Sequence, residues 1–232
     1  MVAKTDSMDS LSVNKRQRLI QQAKEVSVFF FLAVVRIFMT YFAGALNSPS
    51  NTPLHSFKAM LGAMALAQRG PMLVFGGVVF GYAFLSLACG RLLHRKFLDF
   101  LGILVLINLL FHFLKINLLL FTPSGPPVLL LGQLITFVIF FIVAWGWIYW
   151  RVDCAEHEGS AGIIALGDTG ETLSMFDYMY SSMHLIQTMG RASNISGSTR
   201  FGRVLVSVHN FMVIDLVSIG LGRFYQLIQK TI

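Results

Sequence analysis

At 232 residues, 55% hydrophobic and 12% charged, with a mean hydropathy of +0.68, the chain carries far less charge than the roughly one quarter of an ordinary soluble domain. Twenty-one Phe, eleven Met and twenty Gly stand against eleven acids, too little polar surface to wet a globule, so a soluble enzyme and a disordered or collagen-like chain are both excluded. The formal charge of +7 invites a nucleic-acid partner, but five of the eighteen bases lie in the first 24 positions and most others flank apolar runs. That distribution belongs to membrane topology and lipid headgroups, and no nucleic-acid partner is expected.

In chain order, residues 1–25 form a polar N-terminal segment with Lys15, Arg16, Arg18 and Lys24 ahead of the first apolar run, and no signal-peptide cleavage site follows. It reads as a cytoplasmic amphipathic lead-in. Residues 26–121 hold the N-terminal transmembrane helices, with strong spans at 26–46, 71–93 and 97–121; a fourth runs over 127–150 and the last over 203–228. Asn47-Ser48-Pro49, Arg91 to Lys96, Pro123 to Pro127 and Arg151 punctuate them. Trp145, Trp147, Tyr149 and Trp150 cluster at one end of the fourth span, as rings at headgroup level do. Gly77 and Gly81 form a Gly-x-x-x-Gly step that admits close helix approach. Residues 54–69 are apolar but short, either a further span or an interfacial helix.

Between the fourth and last spans an acidic loop carries Asp153, Glu156, Glu158, Asp168 and Glu171. The text then becomes helical: Ser174 with Asp177 makes a capping signature, and the helix over 174–187, about 20 Å long, is too short to cross. It stops near Gly190, a polar stretch follows, and a span resumes. Helix, irregular backbone, then span is the pattern of a re-entrant loop, tolerated at membrane depth only inside protein or along a wet cavity.

Over residues 128–228 these features resemble the two-helix-plus-pore-loop unit of the potassium channel family. Phe176, Asp177 and Tyr180 stand where that family places its pore-helix aromatics, Thr188-Met189-Gly190 matches Thr-Val-Gly, Ile195 stands in the link, and Phe201-Gly202-Arg203 opens the inner helix. Arg191, Ala192 and Ser193 replace the family's Tyr-Gly-Asp, and no proline follows Ile195. The resemblance implies a pore-like domain over 127–232: outer helix 127–150, pore helix 174–187, filter-like loop 188–200 and inner helix 203–228. It implies a homotetramer passing monovalent cations. Ala192 resists the backbone that alternate glycines give a potassium filter, and Arg191 repels cations unless it turns toward an acid such as Asp177, so strong potassium selectivity is not expected. The fold class is an all-α, multi-pass integral membrane protein in the lipid bilayer, with five or six transmembrane helices and a re-entrant pore helix.

Two polar rows lie inside the apolar spans. Ser207, Phe211, Asp215, Ser218 and Gly222 share one face of the last span, the expected pore lining, with Asp215 gathering cations; the alternative pairs Asp215 with a base such as Arg36 or Lys115. Asn108, His112 and Lys115 form a second row, either an ion relay or a seam against Arg36 or Asp99. His209 and Asn210 point off the Asp215 face as helix contacts. Cys89 and Cys154 have neither disulfide nor ligand spacing, and Glu156-His157-Glu158 is nearly contiguous, so neither metal nor cofactor is expected. His184 reads as a packing histidine, and Asn194-Ile195-Ser196 as a chance glycosylation match.

Five crossings with the basic N-terminus inside put the Arg91–Lys96 turn in the cytoplasm and bring the pore loop in from there, as in glutamate receptors. Six crossings bring it in from outside, as in potassium channels, and the vestibule-like acidic loop favours six. The function expected is a homotetrameric, weakly cation-selective pore-loop channel subunit. The alternatives are a non-conducting structural or regulatory homologue, and a membrane enzyme or transporter built on the Asn108 row. No nucleophile and base stand at a recognised spacing, so no catalytic residues are expected.

Overall fold

The computed structural model describes residues 5–45, 69–120, 127–155, 164–166, 173–189 and 195–231. Among them are six helices and two short strands: α1 (Thr5–Ala45), α2 (Arg69–Ala88), α3 (Arg95–Leu120), α4 (Pro127–Ala155), β1 (Ile164–Leu166), α5 (Met175–Gln187), β2 (Ile195–Gly197) and α6 (Arg200–Thr231). Within the described residues three helices are long and apolar enough to cross a membrane: Arg95–Asn117, Leu131–Asp153 and Arg200–Gly222. The expected span at 26–46 falls on α1, which runs unbroken from Thr5, so the lead-in and the span are one helix. The span expected at 71–93 falls on α2, a helix of 20 residues that ends at Ala88, before the Gly90 turn. The ambiguous stretch 54–69 lies almost wholly outside the described residues.

The chain divides into two compact units, Met1–Val34 with Pro53–Ile107 and Val35–Thr52 with Asn108–Ile232. In the first, α2 ends in a Schellman turn: Arg91 N–H donates to the Ser86 carbonyl, Gly90 N–H to that of Leu87, and Gly90 takes the left-handed φ of +66° that the motif requires. The chain then meets α1. The Gln22 side chain donates to the Leu93 carbonyl at 3.0 Å and accepts from the Leu93 N–H at 2.8 Å. One turn along α1, fully buried Glu25 accepts from Nη1 and Nη2 of Arg95, at 2.8 and 3.0 Å, while Arg95 Nε donates to Asp99 at 3.2 Å. This polar clasp makes α1 and α2 antiparallel, because the start of the apolar part of α1 meets the turn that follows α2. Phe30 sits edge-on to Phe80 and Phe84, and Val26, Phe29, Leu32, Ala83 and Leu98 are buried. A Cβ built at Gly77 or Gly81 meets nothing within 4 Å, so the Gly-x-x-x-Gly step holds no neighbour among the described residues.

In the second unit α4 is the central helix. A Cβ on Gly146 would lie 2.5 Å from Met179 Cγ and 2.7 Å from Met179 Cα, so α5 rests on α4 where α4 has no side chain. Asp153, itself buried, ties three elements together: it accepts from the Tyr178 hydroxyl of α5 and, at 3.2 Å, from the Ile164 N–H of β1. On its other side α4 runs antiparallel to α6, with Leu134 against Gly220 at one end and Tyr149 against His209 at the other.

The all-α expectation needs one correction. β1 and β2 form a two-stranded antiparallel ladder, Ile164↔Gly197, Ala165↔Ser196 and Leu166↔Ile195, inside what the sequence marks as loop. Ile164 and Ile195 are buried, and Gly197 lies so close to the Gly202–Arg203 backbone that a Cβ there would collide with it. Burial of one isoleucine on each strand therefore wins over the polar character of the stretch. The aromatic cluster also packs differently from a headgroup belt: Trp145, Trp147, Tyr149 and Trp150 are all buried within the protein.

Candidate functional site

The elements expected to form the pore-like domain are α4, α5 and α6. α5 forms because Ser174 and Asp177 close its first turn: the Asp177 carboxylate accepts from the Ser174 N–H at 2.6 Å and the Ser174 hydroxyl at 2.7 Å. These bonds, the side-chain one foremost, hold the Asp177 carboxyl below the usual carboxylate range. Both bonds fall on one carboxylate oxygen, Oδ2, so the cap uses one side of the Asp177 carboxylate. Met175, Tyr178, Ser181, Ser182 and Leu185 face inward, whereas Phe176 and Tyr180 are exposed.

The end of α5 coincides with the filter-like motif. Thr188 donates its hydroxyl back to the His184 carbonyl at 3.0 Å and to that of Leu185 at 3.3 Å, satisfying acceptors that a helix end leaves open. Met189 N–H donates to the Ile186 carbonyl, and Met189 has a left-handed φ of 52° with its side chain exposed. An ordinary side chain thus occupies a position that glycine fills at many helix ends. Gly190, Arg191, Ala192 and Ser193 lie outside the described residues. Beyond them Ile195 enters β2. Thr199 caps α6, its Oγ1 accepting from Gly202 N–H at 3.0 Å. The adjacent, hydrogen-bonded strands β1 and β2 thus bracket, in sequence, the excursion that contains α5.

A closed polar–aromatic core joins α4 to α6. His209 is fully buried, stacked on Trp145 with ring centroids 4.4 Å apart and planes 3° from parallel, and its Nδ1 is 2.8 Å from the Tyr149 hydroxyl. Phe141 flanks the same ring at 5.1 Å. His209 is thus a helix contact, as its position off the Asp215 face indicates.

On α6, Ser207, Phe211 and Ser218 are exposed, and Asp215 and Gly222 are half-buried. Ser218 spends its hydroxyl on the Ile214 carbonyl at 2.8 Å. Asp215 accepts from Asn117 Nδ2 of α3 at 2.7 Å, and the same amide nitrogen reaches the Phe113 carbonyl at 3.2 Å. Of the two bases considered as its partner, neither makes this bond; a neutral amide does. Asn117 escapes notice in the sequence because it stands off the Asn108, His112 and Lys115 row. In that row Asn108 is half-buried and His112 and Lys115 are buried, so the row faces protein. His112 lies edge-on to Phe111 and Phe140, within the field of the Lys115 and Arg36 charges. Asp99, the other partner considered for the row, is engaged by Arg95.

Glu156, His157, Glu158, Asp168, Glu171 and Asn194 fall outside the described residues. Gly146 and Asn117 are positioning residues that sequence reasoning missed, and Asp153 and Tyr149 are ones that it placed in an acidic loop and at headgroup level. The one available signal was a glycine amid large aromatic rings at 145–150, which marks a close approach. Comparison of the chain with protein-family models, with curated proteins and with solved structures gives no match.

Proposed function

We propose that the chain is a subunit of a homotetrameric, weakly selective pore-loop cation channel in which α4, α5 and α6 act as outer, pore and inner helices. The observation that carries this reading is the excursion 167–194, which starts and ends on paired strands and holds a short amphipathic helix against the glycine of an apolar one. Such an excursion suits a segment that enters and leaves a bilayer on the same face. The exposed residues of α6 include Ser207, Phe211 and Ser218 of the expected lining, and Asp215 beside them keeps one carboxylate oxygen beyond its bond to Asn117. The C-terminal end of α5 carries partial negative charge, which favours a cation near Thr188.

The clasp between α1 and the turn after α2 also favours five crossings over six, since it puts Gln22 and Leu93 at one level, as a pair of crossings by α1 and α2 requires. By counting crossings, the excursion then enters from the face that carries the basic N-terminal segment, the cytoplasm by the positive-inside rule. Phosphatase fusions at Gly159 and at the C-terminus test this: activity on opposite faces, with Gly159 inside, is expected, and Gly159 outside contradicts it.

The channel reading is tested by ion flux from liposomes holding the purified chain, expected above the leak of empty vesicles. A monomeric or trimeric particle sinks the tetrameric reading. The Asn117–Asp215 bond favours one second reading, in which Asp215 only fastens α6 to α3 and the chain is a non-conducting homologue with Arg191 across the axis. A silent parent in which Arg191→Tyr with Ala192→Gly restores flux supports that reading.

A further inference from the structure

We infer that the first unit carries a basic collar that binds anionic phospholipid headgroups, built by joining the N-terminal turns of α1 to the turn between α2 and α3. The inference is independent of the channel reading. The clasp supplies the geometry. Gln22 and Glu25 bond to Leu93 and Arg95, and Lys15, Arg18, Gln22 and Glu25 fall at i, i+3, i+7 and i+10 on one face of α1. Arg18 lies about 6 Å along the axis from Gln22 and Lys15 about 10 Å, on the side away from the apolar run. They therefore extend the same face of α1 past the bonded turn, which Arg91 and Lys96 flank. Lys15, Arg18, Arg91 and Lys96 are all exposed.

Residues 15–25 and 91–99 hold seven bases and two acids, and both acids are engaged by Arg95. The remaining bases, which include Arg16 and Lys24, meet no acid within these two segments that could neutralise them. Two apolar side chains stand exposed among the cations, Ile20 at 50% and Leu92 at 41%. Cations interleaved with apolar groups at the mouth of an apolar helix suit the phosphate and upper acyl region of a lipid, whereas a nucleic acid leaves Ile20 and Leu92 wet. A loose basic tail adapts to any polyanion. Here two elements are fixed at one level, so the charges act together on a planar array of phosphates.

The test places the purified full chain in phosphatidylcholine bilayers and uses electron spin resonance to compare the motionally restricted fractions of spin-labelled phosphatidylserine and phosphatidylcholine. The serine lipid is expected to be favoured about fivefold or more, from the attraction of several nearby bases. Raising salt from about 0.1 to 1 M shortens the screening length from about 10 to 3 Å and should remove most of that preference without any substitution. Arg18→Gln with Arg91→Gln should cut it at least about twofold, whereas Arg200→Gln with Arg203→Gln, which removes equal charge from exposed positions of α6, should leave it unchanged. Equal association of the two lipids overturns the proposal, as does a preference indifferent to salt or lost equally in both variants. Pyrophosphate abolishing the preference where chloride of equal ionic strength does not identifies a soluble phosphate ligand instead, and also overturns it.

Discussion

Each unit is held together internally, and the two use opposite chemistries. The first fastens its helices with a polar clasp at one level, Gln22 to Leu93 and Glu25 to Arg95, and leaves apolar faces such as Val74, Val78 and Leu85 open. The second fastens α4, α5 and α6 by close packing: a backbone contact at Gly146, a stacked His209 and a buried row of aromatic rings. A clasp fixes one level and tolerates sliding elsewhere, whereas a packed glycine contact fixes separation along the interface. The unit with the short, closed excursion is the one whose helix spacing is set by backbone contact.

The largest effect is expected in the clasp. Arg95→Ala removes the salt-bridge partner of the fully buried Glu25 carboxylate and should cost about 3 kcal/mol, the lower end for a broken buried pair because Arg95 keeps 39% of its side chain exposed. The thermal midpoint of the first unit should fall, and adding Glu25→Gln should recover part of the loss. Recovery by Glu25→Gln is what separates the loss of a charge partner from lost packing.

Gly146→Val should cost about 1 to 3 kcal/mol, since the new side chain meets Met179 backbone that cannot swing aside as a rotamer can. Proteolysis of the 156–173 segment should accelerate as α5 leaves α4. The same substitution at Gly77, where a Cβ meets nothing within 4 Å, should be nearly silent within the protomer. A large effect at Gly77 in the assembled protein would place that face against another copy.

Tyr149→Phe removes the hydroxyl from buried His209 Nδ1 and should cost about 1 to 2 kcal/mol, leaving the Trp145 stack in place. Near-ultraviolet circular dichroism from the stack should persist while the unfolding midpoint falls. Loss of both signals together would make the hydrogen bond, not the stacking, the organiser of the α4–α6 interface.

The smallest effect sits at the α5 cap. Ser174→Ala should cost about 1 kcal/mol or less. Because the Asp177 carboxyl is held below its unfolded value, the cap contributes above the unfolded carboxylate range, about pH 4, and is lost as pH falls through the lower folded value. The Ser174→Ala difference should accordingly vanish in acid, read as helical ellipticity against pH.

The legible parts of this molecule are those encoded locally. Apolar runs of about twenty residues mark α3, α4 and α6, and Ser174 with Asp177 marks the start of α5 to within one residue. Gln22 and Leu93 are 71 positions apart and neither belongs to a motif, so the clasp and the helix pairing it fixes stay hidden. Three-residue strands have no period long enough to register, which is why β1 and β2 read as loop. Asn117 is two residues past Lys115, about 200° round the helix, so a row drawn through Asn108, His112 and Lys115 passes it by. Gly146 is visible as a letter, but a glycine in an apolar helix does not say which backbone it meets.

The most direct measurement of the channel reading is the reversal potential of the purified chain in a planar bilayer under a potassium chloride gradient. A cation-selective value is expected, little changed when sodium replaces potassium and moved toward zero by Asp215→Asn. An anion-selective value, or a charge preference that Asp215→Asn leaves untouched, would contradict the assignment of α6 as a cation-lining helix.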